Sequence, residues 1–179
     1  MFIVVGLVCL VVAAGVFLVA SAYASRTGIS SASRVLASDT SQGRVELLED
    51  HELRLRGQPD YIMEKRVFPL LGPKRLFPVE LKTGTQSSDL RDSDRFQLLV
   101  YLLLMKARYG SRASKVGYVR YGSATFPVRL TWWSRRECLR VIERVRRAKQ
   151  ADDVRRNHRV AARCRGCSVR SVCSQSLVS

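Results

Sequence analysis

The sequence predicts a mixed α/β domain that follows one apolar N-terminal helix. Three observations carry this prediction. The residues from Phe2 to Ala24 include no charged side chain. Short strand-like runs separated by turn residues occupy residues 45–81, and a long segment of helical periodicity follows them. A strand hairpin and a second helical segment come next, so the remainder of the chain adds both types of element.

The apolar segment FIVVGLVCLVVAAGVFLVASAYA is long enough to cross a bilayer, because its 23 residues span roughly 34 Å as a helix. A cleaved signal peptide is the alternative, since residues 22–24 resemble a small-residue cleavage site, but the segment lacks a basic start. Arg26 and Arg34 follow the segment and no Lys or Arg precedes it. This asymmetry predicts a single-pass membrane protein with its soluble domain in the cytoplasm.

The order of segments predicts four parts: a transmembrane anchor at 1–24, a juxtamembrane linker at 25–43, a folded domain at 44–163 and a cysteine-containing tail at 164–179. The linker is rich in Ser, Ala and Thr and has few apolar positions; at most one short helix is expected in it. About 150 residues remain after the anchor, which is one domain with room for a core.

The chain carries 31 Lys and Arg against 15 Asp and Glu, a formal charge of +16. Such a balance predicts an acidic partner, either nucleic acid or an anionic membrane surface. Nine arginines in the C-terminal third are expected to attract a phosphate backbone, or else to form a solvated face or contact lipid headgroups. They are Arg135, Arg136, Arg140, Arg144, Arg146, Arg147, Arg155, Arg156 and Arg163.

The strand-like runs predict a meander. Residues 45–48 and 53–56 form two strands across a turn at Glu49 and Asp50, and residues 61–63 and 76–81 form two more.

Helical segments follow. Ser93 is the predicted N-cap of a helix from Asp94 to Tyr109 that ends at Gly110, with Phe96, Leu99, Val100, Leu103 and Leu104 as its apolar stripe. Residues 116–121 and 124–130 form a hairpin around Gly122 and Ser123, and a basic amphipathic helix runs over 134–150.

The stretch FPVELKTG places Glu80 and Lys82 on one face of a strand, because successive strand residues point to opposite faces. A solvated edge strand with an ion pair is the simplest explanation. Asp60, however, lies at a strand end about twenty residues earlier and can converge with Glu80. Two carboxylates hold Mg²⁺ or Mn²⁺ together with waters and phosphate oxygens. Lys82 beside such an ion can orient or deprotonate a water and offset phosphate charge.

Gln97 and Tyr101 lie four residues apart on the long predicted helix, so both side chains point in one direction. They can cover the carboxylate site and touch substrate or water. A core position for Tyr101 is the alternative.

The cysteines fall into two groups. Cys9 lies inside the apolar segment and Cys138 inside a helical pattern, and neither position indicates a ligand. Cys164, Cys167 and Cys173 form a C-x-x-C pair with a third cysteine shortly after. In a reducing compartment this spacing indicates a metal or an iron–sulfur cluster rather than disulfides, with incidental cysteines as the alternative.

Taken together, these motifs resemble the RecB-like branch of the PD-(D/E)XK nuclease superfamily. Within it, the CRISPR-associated RecB-like exonuclease family with an iron–sulfur cluster is similar over residues 44–173. The resemblance implies a restriction-endonuclease-like mixed sheet flanked by helices. It implies that Asp60 and Glu80 bind the metal, that Lys82 is catalytic, and that Gln97 and Tyr101 lie over the site. Cys164, Cys167 and Cys173 match the last three cluster cysteines of that family.

Two family features have no counterpart in this chain. The upstream helix with a metal-binding histidine is absent, since His51 falls on a turn and His158 just before the cysteines. The first cluster cysteine is also missing, because the N-terminal region offers only Cys9. A four-ligand set needs Cys138 or His158. The cysteine group therefore has three alternatives: a 4Fe-4S cluster, a Zn²⁺ site with three cysteines and a histidine, or a degenerate site.

The sequence therefore predicts a membrane-anchored hydrolase, a metal-dependent (exo)nuclease that cleaves phosphodiester bonds of nucleic acid, with DNA favoured. The alternative is a nuclease-like binding module that has lost catalysis with the missing histidine. A small cluster-bearing membrane protein without a nucleic-acid role is a third hypothesis, and a protein partner that supplies the absent ligand is left open.

Overall fold

The computed structural model describes residues 34–38, 45–66, 72–83, 89–122, 124–151 and 154–178. The predicted membrane segment, residues 2–24, lies outside these ranges. Within them, no helix is both long enough and apolar enough to span a bilayer. The chain divides after Cys138 into two compact units.

The elements follow one another in the predicted order of strands, helix, hairpin and helix. The strands are β1 Arg34–Ser38, β2 Leu48–Asp50, β3 Leu55–Gly57, β4 Tyr61–Arg66, β5 Lys74–Lys82, β6 Val116–Tyr121 and β7 Ala124–Arg129. The helices are α1 Asp92–Tyr109, α2 Trp132–Gln150 and α3 Ala161–Arg165.

The first unit is built on a five-stranded mixed sheet in the order β1-β4-β5-β6-β7. Strands β5 and β6 are parallel, and the other neighbouring pairs are antiparallel. A parallel pair needs a crossover connection, which α1 supplies between β5 and β6. The predicted mixed sheet flanked by helices is thus present, and its topology agrees with a restriction-endonuclease-like fold.

Strand β1 is a departure from the prediction. Residues 25–43 are expected to be a linker with at most a short helix, yet Arg34–Ser38 pairs antiparallel with β4 at the edge of the sheet. Val35 and Leu36 are about half exposed, so this strand adds little apolar burial and leaves a weak sequence signal.

The predicted meander is also wrong. β2 and β3 form a separate two-stranded sheet, and their turn lies at residues 51–54, two residues beyond the predicted one. The Asp50 carboxylate accepts a hydrogen bond from the Leu53 backbone N–H at 2.9 Å and thereby closes the turn. Arg54 takes the left-handed conformation there, with φ of 47°. Helix α1 contacts this hairpin, so Leu48 is fully buried away from the main sheet.

Helix α1 is buried over most of its circumference, because it contacts both the hairpin and strands of the main sheet. Of the predicted apolar stripe, Leu99, Leu103 and Leu104 are buried, whereas Phe96 and Val100 are only half-buried. The core also includes residues outside that stripe, namely Leu98, Leu102 and Met105.

Both ends of α1 are defined by the backbone. The prediction of Ser93 as the N-cap is wrong, because Arg91 occupies that position. The Arg91 carbonyl accepts hydrogen bonds from the N–H groups of Asp94 and Arg95 at 3.1 and 2.9 Å. Gly110 ends the helix as predicted, with φ of 55°.

The hairpin of β6 and β7 turns at Gly122, as predicted. Gly122 has φ of 52°, a left-handed conformation that favours glycine. Helix α2 begins at Trp132, two residues before the predicted start. Thr131 caps it, because its hydroxyl oxygen accepts from the Ser134 N–H at 3.1 Å and the Ser134 hydroxyl accepts from the Thr131 N–H at 2.8 Å.

The second unit contains the end of α2, helix α3 and a 3₁₀ turn at Arg170–Val172. Arg156 organises it: the Arg156 Nε donates to the Gln175 carbonyl at 2.9 Å, and its guanidinium also donates to the His158 carbonyl. The Arg156 N–H donates to the Gln175 amide oxygen at 2.7 Å.

Candidate active site

The site lies at the carboxyl end of β5, where Glu80 and Lys82 project from the same face of the strand. The Lys82 Nζ donates to the Glu80 Oε1 at 3.0 Å. Glu80 is only 5% exposed, so this ion pair is not the solvated surface pair that the simplest explanation predicts. A buried carboxylate such as Glu80, paired with a half-buried ammonium, is costly unless further hydrogen bonds satisfy it.

Gln97 supplies those hydrogen bonds from α1. Its Oε1 accepts from the Lys82 Nζ at 2.8 Å, and its Nε2 donates to the Glu80 Oε1 at 2.7 Å. The same Nε2 group donates to the Tyr101 hydroxyl oxygen at 2.9 Å. One amide therefore joins the strand pair to the helix, and the i, i+4 spacing of Gln97 and Tyr101 aligns both with β5.

Asp60 stands immediately before β4. Because Tyr61 pairs with Val79 in the antiparallel register, Asp60 is brought opposite Glu80. The Asp60 Oδ2 accepts from the Leu81 backbone N–H at 2.7 Å, which ties this carboxylate to the strand between Glu80 and Lys82. The structure thus gathers Asp60, Glu80, Lys82, Gln97 and Tyr101 at one end of the sheet.

The charges of the site act on each other. Burial raises the pKa of Glu80, and the neighbouring Asp60 charge raises it further against the opposing hydrogen bond from Lys82. Burial alone would lower the pKa of Lys82, but the hydrogen bond and charge of Glu80 and the charge of Asp94 outweigh it and raise that pKa above its usual value. Lys82 is therefore an ammonium at neutral pH.

Asp94 is a site residue that the sequence reasoning missed. Its Oδ1 lies 3.6 Å from the Lys82 Nζ, and its Oδ2 accepts a hydrogen bond from the Tyr121 hydroxyl at the end of β6. The Tyr121 oxygen also accepts from the Arg91 N–H at 3.4 Å. The signal was present, since Asp94 precedes Gln97 by three residues and Tyr101 by seven, which is one helix face.

Tyr101 fits against the hairpin because residue 57 has no side chain. A Cβ on Gly57 would lie 2.9 Å from the Tyr101 Cε1. Burial raises the pKa of Tyr101, and the charges of Glu80 and Asp60 add to that effect. The side chain therefore remains a neutral phenol whose O–H can donate.

An unsatisfied carboxylate oxygen at the site fits a divalent cation. The Glu80 Oε2 is buried and has no hydrogen-bond partner among the described residues, so the site holds an unsatisfied acceptor beside Asp60. In the same ranges, no group of three His, Cys, Asp or Glu side chains is placed to hold a metal. Among the described residues the site thus offers the carboxylates of Asp60 and Glu80, which suits Mg²⁺ when waters and substrate oxygens complete its shell.

The cysteines lie apart from these carboxylates along the chain. In the second unit, Cys164, Cys167, Cys173 and His158 line one cavity of about 300 Å³. They do not form a three-ligand group as placed. Cys138 belongs to the first unit, where burial raises the pKa of its thiol to about 11. A cysteine must ionise to ligate a metal, so burial disfavours Cys138 as the missing ligand.

Most of the predicted backbone-binding arginines are exposed, including Arg136, Arg140, Arg144 and Arg155. Arg156 differs, because its guanidinium donates to two backbone carbonyls of the second unit. These contacts stabilise the fold of that unit.

The comparisons with known proteins agree with this geometry. A family model of the PD-(D/E)XK nuclease superfamily matches residues 18–174, which is most of the chain. The match begins before the predicted domain start at residue 44 and thus includes strand β1. No curated protein matches the chain at a significant level. With a mixed sheet that brings together a glutamate, a lysine and a preceding aspartate, and with a family model that covers most of its residues, the chain belongs to the PD-(D/E)XK nuclease superfamily.

Proposed function

We propose that this protein is a divalent-metal-dependent nuclease that hydrolyses phosphodiester bonds of DNA. The observation that carries the proposal is the hydrogen-bonded set of Glu80, Lys82 and Gln97, in which the Glu80 Oε2 is buried beside Asp60 without a partner. A buried acceptor of this kind is unfavourable unless a cation or a donor occupies the space in front of it.

Asp60 and Glu80 would hold Mg²⁺ or Mn²⁺. When bound, such an ion polarises a phosphoryl oxygen and lowers the pKa of a coordinated water. The two carboxylates keep their places because the Leu81 N–H holds Asp60 and the Gln97 amide holds Glu80.

Lys82 contributes a fixed positive charge. The raised pKa of Lys82 keeps it protonated, so it is suited to orient an attacking water and to offset the charge that builds on the scissile phosphate. Deprotonation of water by Lys82 is the less favoured of the two roles derived from the sequence. Gln97 fixes the ammonium, and the Tyr101 hydroxyl can donate to a substrate oxygen.

Cleavage assays test the proposal. We expect the full chain, purified in neutral detergent, to degrade labelled DNA in the presence of Mg²⁺ or Mn²⁺, and we expect Glu80→Gln and Lys82→Ala each to lower the rate at least a hundredfold. Glu52→Gln is the matched control, since Glu52 is exposed on the β2–β3 turn. Equal rates for Glu80→Gln and the control would contradict the proposal.

A nucleic-acid-binding module without catalysis is the second candidate. Three features favour it. Asp60 and Glu80 each already accept a hydrogen bond, and the described residues offer no third metal ligand. The upstream helical histidine that the RecB-like resemblance implies has no counterpart in the sequence before Glu80, where His51 falls on a turn. Salt-dependent binding of DNA without cleavage in any divalent metal would identify this function.

Exonuclease action and a RecB-like relationship are further proposals that rest on the resemblance of Asp60, Glu80, Lys82, Gln97 and Tyr101. Closed circular single strands separate the two modes of cleavage. An exonuclease degrades linear strands and spares circles of the same length, whereas an endonuclease cuts both.

We also propose that residues 2–24 anchor the protein in the membrane with the folded part in the cytoplasm. The support is the uncharged length of this segment and the position of Arg26 and Arg34 after it. Resistance to alkaline extraction, together with protease access from the cytoplasmic side alone, is the expected result. Complete release by alkali would contradict the anchor.

A metal at the cysteines is the remaining proposal. An iron–sulfur cluster or Zn²⁺ at Cys164, Cys167, Cys173 and His158 is supported by their shared cavity and by the C-x-x-C spacing, although their present placement does not form a ligand set. Iron, sulfide and zinc analysis of anaerobically purified protein decides between these groups. Protein with none of the three would indicate a degenerate site.

A further inference from the structure

A basic cavity lies at the opposite end of β5 from Glu80. It has a volume of about 550 Å³, and its wall includes Arg75, Lys106, Lys115, Arg129, Trp132 and Arg135. These side chains come from β5, α1, the segment before β6, β7 and α2. None of the described residues that line the cavity is acidic.

None of the five cations of the wall takes part in an ion pair of the described residues. Arg75 donates to the Ser111 carbonyl and the Lys106 Nζ donates to the Gly110 carbonyl at 3.3 Å, so these two are held in place without losing their charge. A concave surface with this charge attracts a polyanion.

Trp132 lines the cavity, and Trp133 follows it at the start of α2. Trp132 and Trp133 are 60% and 73% exposed, and their rings contact edge to face at 4.4 Å. The Arg136 guanidinium lies over the Trp132 ring at 5.4 Å. Exposed indoles beside arginines form a surface on which an unpaired base can stack.

The neighbouring surface limits the path of a bound strand. Lys106 and Arg135 also line a second cavity of about 470 Å³, which includes Glu49, Asp50 and Glu52 of the β2–β3 turn. These carboxylates repel phosphate. A polyanion in the basic cavity is therefore directed away from the turn.

We propose that this cavity binds a single-stranded part of the nucleic-acid substrate, with phosphates on Lys115, Arg129 and Arg135 and a base stacked on Trp133. The inference rests on the proposed nuclease function and names the form of its substrate. Single strands fit better than duplexes, because duplex bases are already stacked and cannot reach an indole. A concave wall also suits a flexible strand better than a flat lipid surface.

The cavity is placed to hold the strand away from the cleavage site. Arg75 and Glu80 are five positions apart on β5, which corresponds to roughly 17 Å at about 3.4 Å per residue. A strand bound in the cavity thus reaches the carboxylates several nucleotides further along. The cavity would select substrates with an unpaired segment of that length.

Intrinsic fluorescence tests the proposal directly, since Trp132 and Trp133 are the two tryptophans of the chain. The full chain in neutral detergent is titrated with a thymidine oligonucleotide in EDTA, which prevents cleavage. We expect saturable quenching of tryptophan emission. A duplex of equal length is expected to bind at least about tenfold more weakly.

Variants separate stacking from charge. Trp133→Ala is expected to weaken binding by about tenfold as measured by anisotropy of a labelled oligonucleotide. Arg129→Ala is expected to reduce the slope of log K against log salt by about 0.7, the value for one phosphate contact on a single strand. Arg56→Ala is the matched control, because Arg56 is exposed on β3 and does not line the cavity.

The outcomes are distinct. Quenching without cleavage in Mg²⁺ or Mn²⁺ supports the cavity and contradicts the proposed nuclease activity. Cleavage without quenching, or equal effects of Trp133→Ala and Arg56→Ala, overturns the cavity and leaves the nuclease proposal standing. An emission shift in micelles that contain phosphatidylserine, without a response to the oligonucleotide, would assign the tryptophans to a lipid surface and overturn the inference.

Discussion

Gln97 links the strand and helix halves of the candidate site. An amide donates and accepts at once, so Gln97 can accept from an ammonium and donate to a carboxylate and a phenol. No hydrophobic residue of similar size can do this. The proposed orienting role of Gln97 rests on its position between Glu80, Lys82 and Tyr101.

Replacement of Gln97 by alanine removes all three contacts. We expect Gln97→Ala to lower the single-turnover cleavage rate by about tenfold to a hundredfold, because Lys82 loses the acceptor that orients it. Gln150→Ala, at the exposed end of α2, is the control with the same change. A Gln97→Ala rate equal to that of Gln150→Ala would exclude the orienting role.

The charge of Asp94 is expected to set the alkaline limit of activity. Asp94→Asn keeps the shape of the side chain but removes a negative charge 3.6 Å from the Lys82 Nζ, so the pKa of Lys82 falls. If the ammonium is the active form, the high-pH limb of the cleavage rate moves to lower pH. Asp92→Asn, on the exposed first turn of α1, controls for general charge. An unchanged limb in Asp94→Asn would show that Lys82 does not titrate in this range.

At the scale of elements, the backbones of β5 and β6 approach each other closely at Gly117, and this contact positions β5. A Cβ on Gly117 would lie 2.9 Å from both the ring and the carbonyl oxygen of Pro78. Because a carbonyl cannot rotate away as a side chain can, β6 would have to move from β5. These are the parallel strands that carry Glu80 and Tyr121.

We therefore expect Gly117→Ala to lower the free energy of unfolding by about 2–3 kcal/mol, a value typical of overpacking. Gly166→Ala is the control, because a Cβ there meets nothing within 4 Å. Urea denaturation measures both. Equal midpoints for the two variants would mean that the strands adjust without strain.

The β2–β3 hairpin is expected to affect the site through Tyr101. A Cβ at position 57 meets the Tyr101 ring rather than backbone, so the ring can shift. Gly57→Ala should therefore lower the cleavage rate several-fold with a loss of stability of only about 1 kcal/mol. The Gly57→Ala change made in a protein that also carries Tyr101→Leu tests whether the effect on the rate passes through Tyr101. If Gly57→Ala lowers the rate as much in that background, the effect does not pass through Tyr101.

At the scale of the whole molecule, the buried thiol of Cys138 links stability to pH. Its folded pKa is about 11, above the unfolded value of about 9, so the folded state binds the proton more tightly. The contribution of Cys138 to stability is complete below about pH 9 and is lost as the pH rises from about 9 to 11. The loss amounts to about 2–3 kcal/mol, since each pKa unit is worth about 1.4 kcal/mol.

Unfolding measured across this range tests the linkage. Cys138→Ala is expected to flatten the decline, whereas Cys167→Ala, which changes an exposed thiol, keeps it. A decline of equal size in both variants would assign it to other groups, such as lysines.

Where the sequence reasoning succeeded, the signal was local. Helix α1, the β6–β7 hairpin and the alternation of Glu80 and Lys82 follow from periodicity and turn glycines, which neighbouring residues determine. The misplaced meander and the unrecognised strand β1 depend on pairing between distant segments. Short, half-exposed strands such as β1 carry little apolar pattern, so nothing in their own residues reveals their partner.

The sequence by itself determined the mixed α/β class, the strong positive charge and the face that Glu80 and Lys82 share, because these depend on composition and on the two-residue period of a strand. Only the tertiary structure decided that Tyr121 joins this site and that basic residues from five segments surround one cavity. Such groupings bring together residues that are far apart in the chain. They arise from strand register and helix packing, which local patterns do not specify.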